Sequence, residues 1–202
     1  TAAASLATTT AALCAAPRCA DERLGGTVYA TPLQTEPELD GVRDPVFGPR
    51  PALTLGADKP LYAGTFGRFV YLHVAVPDSD LVYQREPGRA PYGDRVVLAL
   101  EPAAGNVRWL LLNTSAPGAF RAQDTAPDRF EPSESYDARV IGAWLETGGG
   151  YALELRVPIA LVGAALGVGI IDVDRAGDDF AVSLEATWDE ASLEPGRFVY
   201  QR

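Results

Sequence analysis

The stretch LYAGTFGRFVYLHVAV, residues 61–76, has the pattern of two β-strands joined by a tight turn at Gly67. Successive side chains of a strand point to opposite faces. In the second strand, one face therefore carries an aliphatic row and the other a row rich in rings. The aliphatic row is Val70, Leu72, Val74 and Val76, and the opposite row is Phe69, Tyr71, His73 and Ala75. The aliphatic face is expected to pack in a core.

The same alternation recurs along most of the chain. Two further strand pairs are separated by the turn sequences EPAAGN and TGGG, which are typical of hairpins. We count about ten strands at regular spacing, which predicts an all-β fold, an antiparallel β-sandwich. A short internal helix is predicted at 158–166. The Ala/Thr-rich start predicts an N-terminal helix and linker over 1–26, followed by one β-sandwich domain over 27–202.

Composition excludes several classes of function. The 202 residues carry a net charge of −10, which disfavours nucleic acid as a partner. The chain has one histidine and two cysteines, Cys14 and Cys19, which in an oxidising compartment would close only a small loop. No nucleophile elbow, P-loop, dinucleotide fingerprint or HExxH motif occurs. The fragment is therefore predicted not to be an enzyme, and two carboxylates suited to glycoside hydrolysis are not indicated.

The ring-bearing strand faces supply the candidate ligand-binding residues. Rings, a cation and an amide are the groups that recognise a sugar or another small polar molecule. If the strands are neighbours, these residues line one open surface. The candidates are Tyr71, His73, Arg95, Trp109 and Asn113. The alternative for this group is that the side chains simply pack beneath the long polar segment 114–136. For His73, the simpler interpretation is a buried strand histidine whose hydrogen bonds are satisfied.

Acidic residues supply candidate metal ligands. Asp172, Asp174 and Asp178 lie close together in sequence and are weak candidates for a structural calcium site, although a solvated acidic loop is the simpler interpretation. Asp78 with Asp80 is a smaller pair of the same kind. The pair formed by Asp40 and Asp44 has the same two interpretations, calcium or turn chemistry, and the turn is favoured. No cofactor is certain from the sequence.

Five segments together resemble the family 9 carbohydrate-binding modules and the related DOMON-like β-sandwiches. They are PELDGVRDPVF (37–47), FVYLHVAVPDSD (69–80), GDRVVLALEP (93–102), GGYALELRVPIALVG (149–163) and LGVGIIDVDR (166–175). Val46 and Phe47 stand where that family usually has Trp. The resemblance implies a β-sandwich, a carbohydrate-like ligand and a structural calcium ion.

A narrower resemblance is carried by residues 28–41, 144–163 and 169–175. These segments are similar to the extracytoplasmic sensor region of membrane histidine kinases of the proteobacterial dedicated sortase system. The resemblance implies a periplasmic ligand-sensing domain of an inner-membrane protein, with residues 1–26 proximal to the membrane. The kinase part and the membrane helices would lie outside this fragment, and the parent protein would be a homodimer.

Two other functions fit the same fold pattern. One is a carbohydrate-binding module of a secreted enzyme. The other is a protein-interaction β-sandwich that recognises a cell-surface protein, for which an exposed edge strand or an apolar patch would be the expected sign.

Overall fold

The computed structural model of the chain describes residues 26–84, 92–176, 179–189 and 191–200. The predicted N-terminal helix, Cys14, Cys19 and Asp178 lie outside these residues. Within the described ranges the chain forms strands and only two short helical turns. No helix there has the length and apolar character needed to cross a membrane.

The described residues form thirteen strands. In chain order they are β1 (Val28–Pro32), β2 (Leu53–Leu55), β3 (Lys59–Phe66), β4 (Phe69–Pro77), β5 (Arg95–Ala103), β6 (Asn106–Asn113), β7 (Gly118–Ala119), β8 (Arg121–Asp124), β9 (Ile141–Thr147), β10 (Gly150–Pro158), β11 (Leu166–Ala176), β12 (Asp179–Ala186) and β13 (Phe198–Tyr200).

The strands are divided between two sheets. The larger sheet has the order β13-β1-β3-β4-β10-β9-β7, with β2 paired to β3, and the smaller has the order β12-β11-β5-β6-β8. Pairing is antiparallel except at one edge of the larger sheet, where β1 runs parallel to both β13 and β3. The predicted β-sandwich is confirmed, with this parallel edge as a local departure from the antiparallel pattern.

The core between the sheets consists of the aliphatic rows that alternation predicts. Leu72 and Val74 of β4 face the interior, as do Leu98 of β5, Leu110 of β6 and Leu153 of β10, and each is at most 1% exposed. Fully burying such a side chain contributes about 1.5–3 kcal/mol. These rows therefore supply most of the energy that holds the two sheets together.

The helical elements are short. The predicted internal helix is a single turn, α1 (Ile159–Val162), which follows Pro158 and ends at Gly163. A 3-10 turn (Pro45–Phe47) is capped by Asp44, whose Oδ1 accepts a hydrogen bond from the Val46 N–H at 3.1 Å. Asp40 Oδ1 accepts one from the Val42 N–H at 2.8 Å. The turn interpretation of these two carboxylates is thus confirmed.

Both outer faces of the sandwich are largely covered by the chain itself. Leu33 and Phe47 pack on the outer face of the larger sheet against Tyr71. Phe130 and Trp188 pack on the outer face of the smaller sheet against Trp109. Trp188 reaches the sheet because β11 has a glycine there: a Cβ on Gly169 would lie 2.1 Å from the Trp188 ring.

Candidate functional site

The five predicted ligand-binding residues do not share one open surface. Tyr71 and His73 lie on β4 in the larger sheet, whereas Arg95 lies on β5 and Trp109 and Asn113 lie on β6 in the smaller sheet. In each strand they alternate with residues of the shared core, so they face away from it on opposite sides of the sandwich. All five are at most 7% exposed. The expectation of a single open face is wrong, because alternation assigns a face within a strand but not the sheet to which the strand belongs.

On the larger sheet, Tyr71 and His73 are covered by the segment before β2. The Tyr71 hydroxyl donates a hydrogen bond to Glu36 Oε1 at 2.5 Å, and burial with this bond raises the pKa of Tyr71 to about 12. Burial lowers the pKa of His73 to about 4. His73 is therefore a neutral, buried ring at physiological pH. Its Nδ1 has no hydrogen-bond partner, so the simpler interpretation of a satisfied strand histidine holds only in part.

On the smaller sheet, Trp109 belongs to a cluster of three rings. It meets Trp188 edge-on at 5.0 Å between centroids and Phe130 at 5.6 Å. Arg95 Nη1 donates to the Gly93 carbonyl at 2.7 Å, and Asn113 lines a cavity of about 140 Å³. These positions support the packing alternative for this face.

A large cleft lies at the end of the larger sheet where β3 turns into β4. Its volume is about 900 Å³. Its floor and walls are mostly apolar, and its basic residues are all arginines. The lining residues are Thr65, Gly67, Arg68, Phe69, Ala138, Arg139, Ile141, Arg156, Pro158, Ile159, Ala160 and Tyr200. The sequence does not indicate this cleft, because its residues come from four separate segments that become neighbours only in the folded sheet.

The three arginines of the cleft are held differently. The Arg156 guanidinium lies 4.6 Å from the Phe69 ring centroid and pairs with Glu36 Oε1 at 3.1 Å. Arg139 pairs with Asp137 at 2.6 Å. Arg68 lies beside the Gly67 turn, is exposed, and forms no ion pair among the described residues. One guanidinium is therefore available for an anion, next to a second that stacking holds in position.

The acidic residues predicted as calcium ligands are also separated. Asp172 lies close to Asp78 and Asp94, with one oxygen from each within 4.8 Å of the others, whereas Asp174 is exposed and outside this group. This is the single such group of three within the described residues. Asp94 carries no local sequence signal, because a lone aspartate before a strand is common.

Two of the segments that carry the family resemblance contact each other. Gly41 packs over β9 with φ +86°, where a Cβ would lie 2.6 Å from the Leu145 Cβ. Beneath this turn lies Glu154 of β10, which is 0% exposed and whose two carboxyl oxygens have no hydrogen bond of good geometry. Burial raises the pKa of Glu154 to about 7, and the backbone N–H groups of Asp40 and Gly41 offset only part of that rise.

The sequence matches no protein-family model and no curated protein.

Proposed function

We propose that this chain is a non-catalytic ligand-binding β-sandwich, the extracytoplasmic sensing domain of a membrane histidine kinase, and that it binds a carbohydrate-like ligand bearing an acidic group. The observation that carries the proposal is the cleft of about 900 Å³ at the β3–β4 turn, with its apolar walls and its arginines. Clefts of this size accommodate small ligands and small oligosaccharides.

The chemistry of the lining favours a ligand with flat apolar faces and a carboxylate. Phe69, Ile141 and Tyr200 offer apolar surface against which sugar C–H groups pack. Arginine binds carboxylates through two parallel hydrogen bonds. Arg156 is already held by Phe69 and Glu36, so ordering it on binding costs little side-chain entropy. Arg68 then supplies the unpaired charge.

The same lining argues against hydrolysis in the cleft. Glycoside hydrolysis needs two carboxyl groups at a set separation. Among the described residues that line the cleft, none is an aspartate or a glutamate. The cleft is suited to binding a sugar and not to cleaving it.

The position of the cleft suits a sensor. Tyr200, one of its lining residues, belongs to β13, which pairs with β1, so the first and last described strands lie side by side next to the cleft. A ligand that binds more tightly to one arrangement of this edge shifts the population toward it. In a parent protein whose membrane segments flank the domain, that shift would be transmitted to the kinase.

The binding step is tested by calorimetry with trigalacturonate and, as a neutral control, galactotriose. We expect the acidic trimer to bind more tightly. Arg68→Gln should weaken its binding about tenfold or more, because a charge-assisted hydrogen bond contributes about 1.5–3 kcal/mol. Arg50→Gln, an exposed arginine outside the cleft, should bind as the unchanged chain does.

Equal binding of both trimers, or no binding of either, would refute the proposed ligand class. The sensing step has its own readout, namely autophosphorylation of the intact parent protein in membrane vesicles with and without trigalacturonate. Binding without any change in phosphorylation would instead favour a carbohydrate-binding module.

A further inference from the structure

Three aspartates gather between the two sheets at the end of the sandwich where β4 ends. Asp78 follows β4, Asp94 precedes β5, and Asp172 lies within β11. Val76, Val96 and Ile170, each two positions away from one of them, belong to the shared core, so the aspartates continue inward-facing rows. One carboxylate oxygen from each lies within 4.8 Å of the others. One strand of the smaller sheet and the ends of two others, β4 and β5, thus bring acids to a single point.

The carboxylates have oxygen atoms without protein partners. Asp78 Oδ2 and Asp172 Oδ1 are buried and accept no hydrogen bond. Asp94 is 3% exposed, and its two oxygens accept the backbone N–H groups of Val82 at 2.6 Å and Val173 at 2.8 Å. Each Asp94 oxygen keeps a second lone pair, so all three carboxylates can still bind a cation.

A buried hydroxyl lies at the same end of the sandwich. Tyr151 of β10 is 1% exposed, and its hydroxyl has no hydrogen-bond partner. Tyr151 pairs with Val76 across β10 and β4, and Val76 faces the shared core two residues before Asp78. The phenol therefore lies inside the sandwich at the end where the aspartates gather. A buried hydroxyl without a partner costs about 1–3 kcal/mol. A bound ion with its water shell would give the hydroxyl a partner that the protein does not provide.

The nearby cations Lys59 and Arg95 act on the group from a distance and form no ion pair with it. Lys59 pairs with Glu185 at 3.0 Å and with Asp58 at 3.6 Å, not with any of the three aspartates. Arg95 directs Nη1 to the Gly93 carbonyl. No ion pair joins Asp78, Asp94 or Asp172 to a cation within the described part of the chain.

We propose that Asp78, Asp94 and Asp172 bind a calcium ion that links the two sheets. All the donors are hard oxygen atoms, which suit Ca²⁺ and not the soft or borderline metals. With Ca–O bonds of about 2.4 Å, two ligands of one ion lie at most about 4.8 Å apart, and the three carboxylates meet that limit. Water molecules complete the coordination.

The site has an entry path. Asp78 lines a shallow cleft of about 700 Å³ that is open to solvent, together with Ser79 and Glu146. The ion can therefore exchange without unfolding of the sandwich. The site lies at the opposite end of β4 from the arginine cleft, which begins at Phe69, so the two proposals stand or fall separately.

The test is thermal unfolding of the 202-residue chain in CaCl₂ or in EDTA. We expect Ca²⁺ to raise Tm by roughly 5–10 °C when the free ion is about 100-fold above its Kd. Asp172→Asn should abolish this rise and should also raise Tm in EDTA, because it removes one of three repelling charges. Asp174→Asn, an exposed position two residues away on the same strand, should keep the full rise.

A second readout reports binding directly. Tb³⁺ replaces Ca²⁺ in oxygen-ligand sites, and Tyr151, stacked on Trp144 at 4.2 Å, would sensitise its luminescence. We expect a luminescence signal that Ca²⁺ displaces and that Asp172→Asn abolishes. If Asp172→Asn does not fold, Asp78→Asn serves in its place. Equal Tm in CaCl₂ and EDTA together with no Tb³⁺ signal would overturn the proposal, as would a Ca²⁺ effect that Asp174→Asn removes and Asp172→Asn does not.

Discussion

His73 and Glu154 face each other across β4 and β10, in direct register on the outer face of the larger sheet. Both are buried, at 3% and 0% exposed. The groups that surround them are Asp40, Asp44 and Arg43 of the covering segment and the edge of the Tyr62 ring. Their pKa values are shifted in opposite directions, so the two residues respond oppositely to pH.

The linkage between proton binding and folding determines whether each residue raises or lowers stability as the pH changes. Between pH 6.5 and about 4, His73 takes up a proton in the unfolded chain but not in the folded one, so it lowers stability as the pH falls. Between pH 4.5 and about 7, Glu154 keeps its proton in the folded chain but loses it in the unfolded one, so it lowers stability as the pH rises. The two effects partly cancel in the unchanged protein, and a variant is needed to separate them.

Glu154→Gln is expected to raise the free energy of unfolding at pH 8 by up to about 3 kcal/mol, since the buried charge is removed, at about 1.4 kcal/mol per pKa unit. Near pH 4 the variant and the unchanged chain should be equally stable. Urea unfolding at the two pH values measures this. Glu38→Gln, an exposed position, should change neither value. A variant less stable at pH 8 would show that Glu154 is needed there as a carboxylate.

At the scale of elements, the ring cluster explains how the segment after β12 is held on the smaller sheet. Trp188 is 5% exposed and packs on Trp109 and Phe130. The glycines of β11 provide the space that the indole needs. A strand with glycine at this position loses intrinsic strand propensity, and the packing of the indole compensates for the loss.

Gly169→Ala should therefore destabilise the protein by roughly 1–3 kcal/mol, since the new methyl overlaps the Trp188 ring and forces it away from the sheet. Urea unfolding and the near-ultraviolet circular dichroism of the tryptophans measure the two consequences. Gly149→Ala is the matched control, because a Cβ there meets no atom within 4 Å. If Gly169→Ala proved as stable as Gly149→Ala, the indole would not be held as described.

The strands and their inward faces could be predicted from the sequence, because alternation reports directly on which side chains are buried. The hairpins at Gly67 and at 147–150 could also be predicted, because their turn residues are typical of hairpins. The grouping of Tyr71 and His73 with Trp109 failed, because alternation does not say which strands are neighbours. For the same reason, the sequence does not show that Asp78, Asp94 and Asp172, which are distant in sequence, lie close together.

At the scale of the whole molecule, the covered outer faces restrict where a ligand can bind. The Tyr71 and Trp109 rings, which were predicted to bind a ligand, instead pack against the segments 33–47 and 126–130 and hold them on the sheets. The end of the larger sheet at the β3–β4 turn remains open. The proposed recognition therefore takes place at an edge of the sandwich and not on its faces. β13, which contributes Tyr200 to the cleft, is paired with β1.

The most direct test of the sensing cleft is a nuclear magnetic resonance titration of the isotopically labelled chain with trigalacturonate. We expect the amide signals that shift to belong to Gly67, Arg68, Arg139, Ala160 and Tyr200, while the indole signals of Trp109 and Trp188 stay in place. Shifts centred on the two indoles with the Gly67 turn unaffected would contradict the proposed site and would place the ligand on the outer face of the smaller sheet.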